Sequence, residues 1–452
     1  MKVLVVGGGG REHALAWKIA SSPLVEEVLC APGNAGTDEA KGLRNMRVAA
    51  TDLDGLVDLA TREEVGLVVV GPEDPLCDGL ADRLRERDVL TFGPGADGAK
   101  LEGSKLFAKE LLDRHRIPTG GWRRFDRAGA AKSYLETLTQ WPQVLKANGL
   151  AAGKGVFVCQ DVKEACAVVD TLMEEKKLGE AGTEILVEEF LIGQEVSVQA
   201  VTDGSGLLIL EPVVDHKAVG EGDTGPNTGG MGIYSPASFL SSRILRQIEQ
   251  RVLIPILHAL RVEEIDYRGV LYAGLMLTEA GPRVLEFNCR FGDPETQAMV
   301  RRLESDLVPY LIAAAEGNLA DQDAPDWDPR ACVGVVAAAE GYPGSYRKGD
   351  PIRGLDGAGA MDGVEVFHAG TRADGGAILT SGGRVLCVTA LGADIERARE
   401  AAYAGYDAIE WSGKFCRRDI GLPRRPGGGF GPESDLPEDD PVLGVGGSAG
   451  LD

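Results

Sequence analysis

Residues 2–20 read KVLVVGGGGREHALAWKIA. Residues 2–6 have the pattern of a buried strand, and Gly7 to Gly10 that of a turn. Residues 11–21 place Ala14, Leu15, Trp17 and Ile19 at helical spacing. The unit then repeats. VEEVLCAPGNAGT is a strand running into a Gly/Asn loop, and LDGLVDLATREEV is helical. GLVVVGPEDPL is strand then loop, CDGLADRLRER is helical, and VLTFGPG is strand and loop again. Such alternation predicts a parallel sheet covered by helices. Residues 1 to about 100 therefore read as one α/β unit, with ligand loops at the carboxyl ends of its strands.

Further along, the sequence predicts a helix over LEGSKLFAKELLDRH, ending before Pro118. Residues 144–202 alternate short strands with Gly-rich loops and one helix near 161–177. The stretch DHKAVGEGDTGPNTGGMG (215–232) is a long polar loop that fits neither a helical nor a strand period. A helix follows around 241–262. The strands LYAGLMLT and PRVLEFNCRF are joined by a turn at 279–282. Residues 315–330 read as a linker and 331–420 as an α+β module. From Leu422 onward the chain is rich in Gly, Pro and acid and reads as a disordered tail.

Composition narrows the function. Of 452 residues, 62 are Gly, without a G-X-Y period, so the excess belongs to loops and flexible segments. Lys+Arg 47 against Asp+Glu 70 gives a net charge of −23. That disfavours non-specific binding of nucleic acid or an anionic membrane, while leaving room for a local phosphate site. None of the eight cysteines is paired in C-x-x-C spacing, so a zinc knuckle is not expected. There is no signal-peptide pattern and no apolar run of membrane-spanning length, and the chain reads as a reduced cytoplasmic protein.

Five motifs carry the chemistry. Gly7-x-Gly9-x-x invites a dinucleotide reading, but the third position is Glu12, whose charged side chain blocks close helix–strand packing. Backbone N–H groups at the helix start, with Arg11, better suit a substrate phosphate. Gly149-Leu-Ala-Ala-Gly153-Lys154-Gly155 is one residue short of a P-loop and has Gly155 where Ser/Thr would hold Mg²⁺. Two readings stay open there. Lys154 closes over a triphosphate with Lys146 beside it, or the segment is a flexible hairpin with solvated lysines. Val187-Glu188-Glu189-Phe190-Leu191, followed by Glu195, offers backbone for an adenine edge and a carboxylate for ribose, or is simply surface. In Val284–Glu295 (VLEFNCRFGDPE), strand alternation puts Glu286, Asn288 and Arg290 on one face, with Phe287 and Cys289 behind. Carboxylate and amide oxygens suit Mg²⁺ or Mn²⁺ on nucleotide phosphates, and Arg290 suits a transferring phosphoryl group. Finally, Asp215-His216-Lys217 and the Gly225–Gly232 run offer many N–H groups for anions. His216 and His13 are left without a role.

Taken together, these stretches resemble the phosphoribosylamine–glycine ligase family of the ATP-grasp superfamily, from Met1 to about Gly421. The resemblance is carried by GGREHALAWK, APGNAGT, VGPEDPL, LEGSK, GLAAGKGV, VEEFL, DHK, GDTGPNTGGMG, LYAGLM, EFNCRFGDPETQ, GYPG, VFHAGT, GGRVLCVTALG and FCRRDIG. EFNCRFGDPETQ with GPNTGGMG separates this family from other ATP-grasp ligases.

The resemblance implies an α/β and α+β multidomain protein. Its parts are a ribose-phosphate domain (1–100), an ATP-grasp domain (101–325) with a lid at about 120–190, a C-terminal α+β domain (326–421) and the tail. It implies a ligase joining glycine to phosphoribosylamine through glycyl phosphate, in the second step of purine synthesis. ATP and Mg²⁺ or Mn²⁺ are the implied cofactors. Partners are small molecules only, with no nucleic acid and no membrane, in a monomer or weak homodimer.

By the same resemblance Lys105, Lys146, Gly153 and Lys154 serve the ATP phosphates. Glu188 and Leu191 form the adenine hinge and Glu195 holds ribose. Glu286 and Asn288 are metal ligands, and Arg290 faces the transferring phosphate. Asp215, Lys217, Asn227, Thr228, Gly229, Gly230 and Met231, with Asp293 and Pro294, belong to the acyl-acceptor pocket. Gly9, Arg11, Glu12, Asn34, Gly71 and Glu73 line the ribose-phosphate site. Two positions depart from the family. Asn148 stands where Asp is usual, and Ala218 stands where a basic residue is usual. Rival readings are another ATP-grasp carboxylate ligase, a nicotinamide oxidoreductase and a non-catalytic nucleotide-binding module.

Overall fold

A computed structural model describes residues 1–39, 41–150 and 155–422. The strands Lys2–Gly7, Glu27–Pro32, Leu43–Asn45, Val65–Val70 and Thr91–Phe92 form one parallel sheet. Across it the order is third, second, first, fourth, fifth. Val3 to Val6 are fully buried, as a parallel strand covered on both faces requires. Val3 and Val5 share a core with Ala14, Leu15 and Ile19, while Leu4 and Val6 face Leu56 and Leu59 on the other side. Chain order reverses between the first and fourth strands. Arg11 and Glu73, which follow the carboxyl ends of these two strands, line a crevice there.

Two antiparallel sheets follow. One has Leu207–Ile209, Gln194–Thr202, Gly269–Thr278 and Gly281–Asn288 in that order. The other has Trp122–Phe125, Ile185–Glu189, Gln143–Ala147 and Val156–Cys159. This smaller sheet closes its own core with the helices Ala128–Leu135 and Val162–Val169, through Ala131, Leu135, Leu145, Ala165 and Val187.

A third antiparallel sheet, hereafter the third sheet, joins Val214–Asp215, Gly232–Ser235, Ala331–Ala339, Arg384–Gly392 and Val364–His368, with Lys414–Phe415 alongside. Val333, Val335 and Ala337 face Ala398 and Ala402 of the helix Ile395–Ala408. Cys332 and Val336, one residue out of phase, join the cluster of Ala298 and Met299 on the opposite face.

Three expectations are revised. The single helix expected from 101 breaks into Ala96–Gly103 and Lys105–Arg114. Ser104 takes an extended conformation, and its Oγ accepts the Phe107 N–H at 3.1 Å, capping the second helix. The stretch 215–232 is not all loop. Ala218–Gly220 and Thr224–Asn227 pair as a hairpin, and the strands flanking it enter the third sheet. Strands this short leave no readable period. Residues 315–330 pack rather than hang free, with Leu319 buried and Trp327 bridged to Leu303. The tail from 423 lies outside the described residues. Among the described residues all eight cysteines are free thiols, and no helix is long and apolar enough to cross a membrane.

Candidate active site

A cleft of about 540 Å³ opens between the first two antiparallel sheets and extends to the N-terminal crevice. The strand Gly281–Asn288 pairs with Gly269–Thr278, which orients Glu286 and Asn288 into the cleft and buries Phe287 and Cys289. The strand ends at Asn288, yet Arg290 just beyond it also lines the cleft. Burial favours a neutral Glu286, but Lys217, Lys146, Lys105 and Arg290 outweigh it and hold the carboxyl below its ordinary value. Glu286 is therefore an anion in a cationic surround.

The lysines are held by identifiable partners. Lys146 Nζ donates to Leu285 O at 3.0 Å and lies 3.1 Å from Glu188 Oε2. The same oxygen is 2.7 Å from Lys109 Nζ, a buried lysine that the sequence reading did not single out. Glu188 Oε1 is buried in the cleft wall and has no hydrogen-bond partner among the described residues. Lys105 opens the capped helix, with Nζ 3.4 Å from Gly149 O. Burial lowers its pKa, with Glu286 opposing. Lys217 Nζ is 3.3 Å from Glu195 and 4.0 Å from Glu286. Gly153 and Lys154 lie outside the described residues.

Arg290 is clamped between two carboxylates. Its Nε is 3.0 Å from Glu73 and its Nη2 is 2.8 Å from Glu102. Glu102 also accepts the Cys289 N–H at 2.8 Å. Glu102 stands in the stretch LEGSK but was given no role from the sequence, because its helix-end position carries no chemical signal. Burial raises the Glu73 carboxyl, but Arg290 and Arg11 prevail and bring it to about 2. Near Lys217, burial and Glu295 push Asp215 well above the carboxylate range, with Lys217 and Arg384 opposing. Glu295 accepts from the Tyr272 hydroxyl at 2.5 Å.

At the far end, Glu12 is buried and accepts the Gly9 N–H at 2.6 Å and Arg11 Nε at 2.5 Å. Gly7 (φ +125°) and Gly71 both pack on its side chain, where a Cβ would collide with it. Asn34 ties this turn to the third sheet by donating to Gly8 O at 3.0 Å and His368 O at 2.7 Å. Glu12 and Asn34 thus shape the crevice from behind, while Arg11 and Glu73 line it. Leu191, Glu195, Asp215, Lys217, Asn227, Thr228, Gly229 and Asp293 also line the cleft. Met231 is fully buried and offers only its main chain, and Pro294 is buried behind Asp293. His216 is buried in the third sheet's edge with Nδ1 3.3 Å from Gly232 O.

The two departures have local explanations. Asn148 Oδ1 accepts the Leu106 N–H at 2.9 Å, and its Nδ2 donates to Glu184 at 3.1 Å. An aspartate could fill only the first of these roles. Ala218 is buried, and its carbonyl accepts Arg417 Nη1 at 3.0 Å, so a guanidinium from the end of the third sheet occupies that neighbourhood.

The donor set fits a divalent cation shared with a nucleotide. Glu286 and Asn288 supply two oxygens, and no group of three or more His, Cys, Asp or Glu able to hold a metal occurs among the described residues. The remaining coordination is then left to phosphate oxygens and water, the usual arrangement for Mg²⁺.

The chain matches the family descriptions "Phosphoribosylglycinamide synthetase, N domain" over residues 1–102, "ATP-grasp (A) domain" over 103–296 and "C domain" over 332–423. It is 51% identical over 422 residues to the phosphoribosylamine–glycine ligase of Allochromatium vinosum, covering 93% of this chain and 98% of that one. The crystal structure of phosphoribosylamine–glycine ligase from Thermotoga maritima superposes with a TM-score of 0.80 at 32% identity, covering 93% of this chain and all of that one. The biotin carboxylase domain of a Hydrogenobacter thermophilus 2-oxoglutarate carboxylase, at 19% identity and TM-score 0.69, covers 92% and 91% and shares the fold alone. With matches spanning all three domains, the chain belongs to the phosphoribosylamine–glycine ligase family, C–N bond-forming ligases of purine biosynthesis with an ATP-grasp fold.

Proposed function

We propose that this cleft joins glycine to phosphoribosylamine in two consecutive transfers. The glycine carboxylate takes the terminal phosphoryl group of ATP, giving glycyl phosphate and ADP. The amine of phosphoribosylamine then attacks the acyl carbon and expels phosphate, giving glycinamide ribonucleotide. The observation that carries this is the Glu286–Asn288 pair ringed by Lys105, Lys146, Lys217 and Arg290. No motif of the sequence sets a nucleophilic Ser or Cys next to a His, and none is required. Catalysis rests on positioning and on fixed positive charge where phosphoryl charge develops.

In this reading Glu286 and Asn288 hold Mg²⁺ or Mn²⁺, which supplies charge neutralisation to the nucleotide phosphates. Lys105 and Lys146 face those phosphates, joined by Gly153 and Lys154 of the 149–155 loop acting as a lid. Excluding water protects an acyl phosphate from hydrolysis. Glu188 Oε1, a buried acceptor without a partner among the described residues, suits the adenine amino group, with Leu191 beside it and Glu195 on ribose. Arg290, held by Glu73 and Glu102, presents fixed charge to the reacting end. Asp215, Lys217, the 227–231 loop, Asp293 and Pro294 form the acyl-acceptor pocket. Gly9, Arg11, Glu12, Asn34, Gly71 and Glu73 build the ribose-phosphate site. Domain limits near 100, 325 and 421, a cytoplasmic location and a monomer or weak homodimer complete the reading.

The test is a coupled ADP assay with each substrate omitted in turn. ADP release is expected only with glycine, phosphoribosylamine and divalent metal together. Equal release with bicarbonate in place of glycine would instead favour a carboxylase.

A further inference from the structure

We infer that Arg384, from the C-terminal sheet, is a positioning residue for the phosphoribosylamine end of the cleft. The inference rests on the proposed assignment of the 227–230 turn and Asp293 to that substrate. Arg384 opens the strand Arg384–Gly392 and reaches into the cleft between two distant loops. Its Nη1 donates to Gly229 O at 2.5 Å and to Asp293 O at 2.8 Å, and lies 3.5 Å from Gly230 O. Its Nη2 is 3.0 Å from Asp293 Oδ2. Nη1 serves the main-chain carbonyls of both loops and Nη2 adds the ion pair, so the two arms of one planar guanidinium hold both loops.

The surroundings are built for this contact. Tyr342, from the same domain, accepts the Gly229 N–H at 3.2 Å. A Cβ at Gly229 would lie 2.8 Å from Arg384 Cζ, so the absence of a side chain there lets the guanidinium dock. Asp293 extends the link, because its Oδ1 accepts from Gln297 Nε2 at 2.9 Å and its Oδ2 faces Gly9. One guanidinium thus connects the third sheet, the polar loop, the Asp293 turn and the N-terminal glycine turn.

Without Arg384, two main-chain carbonyls and a carboxylate lose their shared donor, and both loops lose their common anchor. The described partners of Lys105 and Lys146 are Gly149, Leu285 and Glu188, none of which Arg384 bonds. The effect should therefore fall on one substrate.

The test measures kcat and the KM values for phosphoribosylamine and ATP in R384M and R384K, with calorimetric titration of glycinamide ribonucleotide alongside. R384M is expected to raise the phosphoribosylamine KM and weaken ribonucleotide binding by about tenfold or more, while the ATP KM stays within about twofold. R384K, a point charge without the fork, should fall in between. A folded R384M with an unchanged phosphoribosylamine KM overturns the inference, as does an equal rise in both KM values, which marks general loosening. If R384M does not fold, R384K decides between the same outcomes. D293N separates the two readings. If D293N leaves the phosphoribosylamine KM unchanged, the pocket assignment fails. If D293N raises it and the Arg384 variants do not, only the positioning role fails.

Discussion

Glu286 and Asn148 show how much a single side chain depends on its neighbours. Glu286 stays ionised in the cleft because Lys217, Lys146, Lys105 and Arg290 surround it. Glu286→Ala should lower metal-dependent turnover by about a hundredfold or more while the fold survives, read as kcat beside a circular dichroism spectrum. Asn148 donates to Glu184 at 3.1 Å, and Glu184 is itself paired with Arg124. Asn148→Asp places two carboxylates together. It should cost about 1 kcal/mol above pH 5, measured by urea denaturation, and Glu184→Gln should recover most of that loss in the double variant. If the two effects simply add, the pair is not coupled. Strand alternation made Glu286 and Asn288 legible from sequence. Glu102, Lys109 and Arg384 were not, because their partners come from other elements.

At the scale of elements, the break at Ser104 matters most. One continuous helix over 101–115 would leave Lys105 mid-helix. The cap instead puts Lys105 in a first turn, where the helix dipole also favours anions, while the N–H groups of Lys105, Leu106 and Phe107 are taken by Asn148 O, Asn148 Oδ1 and Ser104 Oγ. Ser104 Oγ serves both the Phe107 N–H and Asn148 Oδ1, at 3.1 Å each. Ser104→Ala is expected to cost about 1 kcal/mol of stability and to raise the ATP KM, whereas Ser104→Asp should keep the cap. An unchanged ATP KM in the alanine variant would separate the cap from nucleotide binding. Only four positions, Glu102 to Lys105, separate the apolar residues Leu101 and Leu106, a gap that one helix can carry on its polar face, so it is the capping contact that reveals the break.

For the whole molecule, the contact between the N-terminal helix and the third sheet includes two buried histidines. The His368 N–H donates to His13 Nδ1 at 2.8 Å, and His368 Nδ1 lies 3.1 Å from Thr371 Oγ1. Burial, then His368, lowers the His13 pKa to about 3, and burial lowers that of His368 to about 4. Both folded values lie below the ordinary 6.5. The unfolded chain therefore binds more protons between them, and stability falls as pH drops from 6.5 towards these values. The loss should reach a few kcal/mol, on the order of one per pH unit for each histidine. His13→Gln should flatten this slope in denaturation curves between pH 7 and 4.5. By itself the sequence determined the parallel N-terminal sheet and the strand that turns Glu286 and Asn288 to one face, because period and local alternation act within a few residues. Tertiary structure alone decided that 214–215 and 232–235 enter the C-terminal sheet, that Arg384 and Tyr342 brace the polar loop, and that His13 meets His368. Those choices depend on hydrogen bonds and strand pairings between separate elements, with sequence separations of 113 for Gly229 and Tyr342 and 355 for His13 and His368, which no local pattern records.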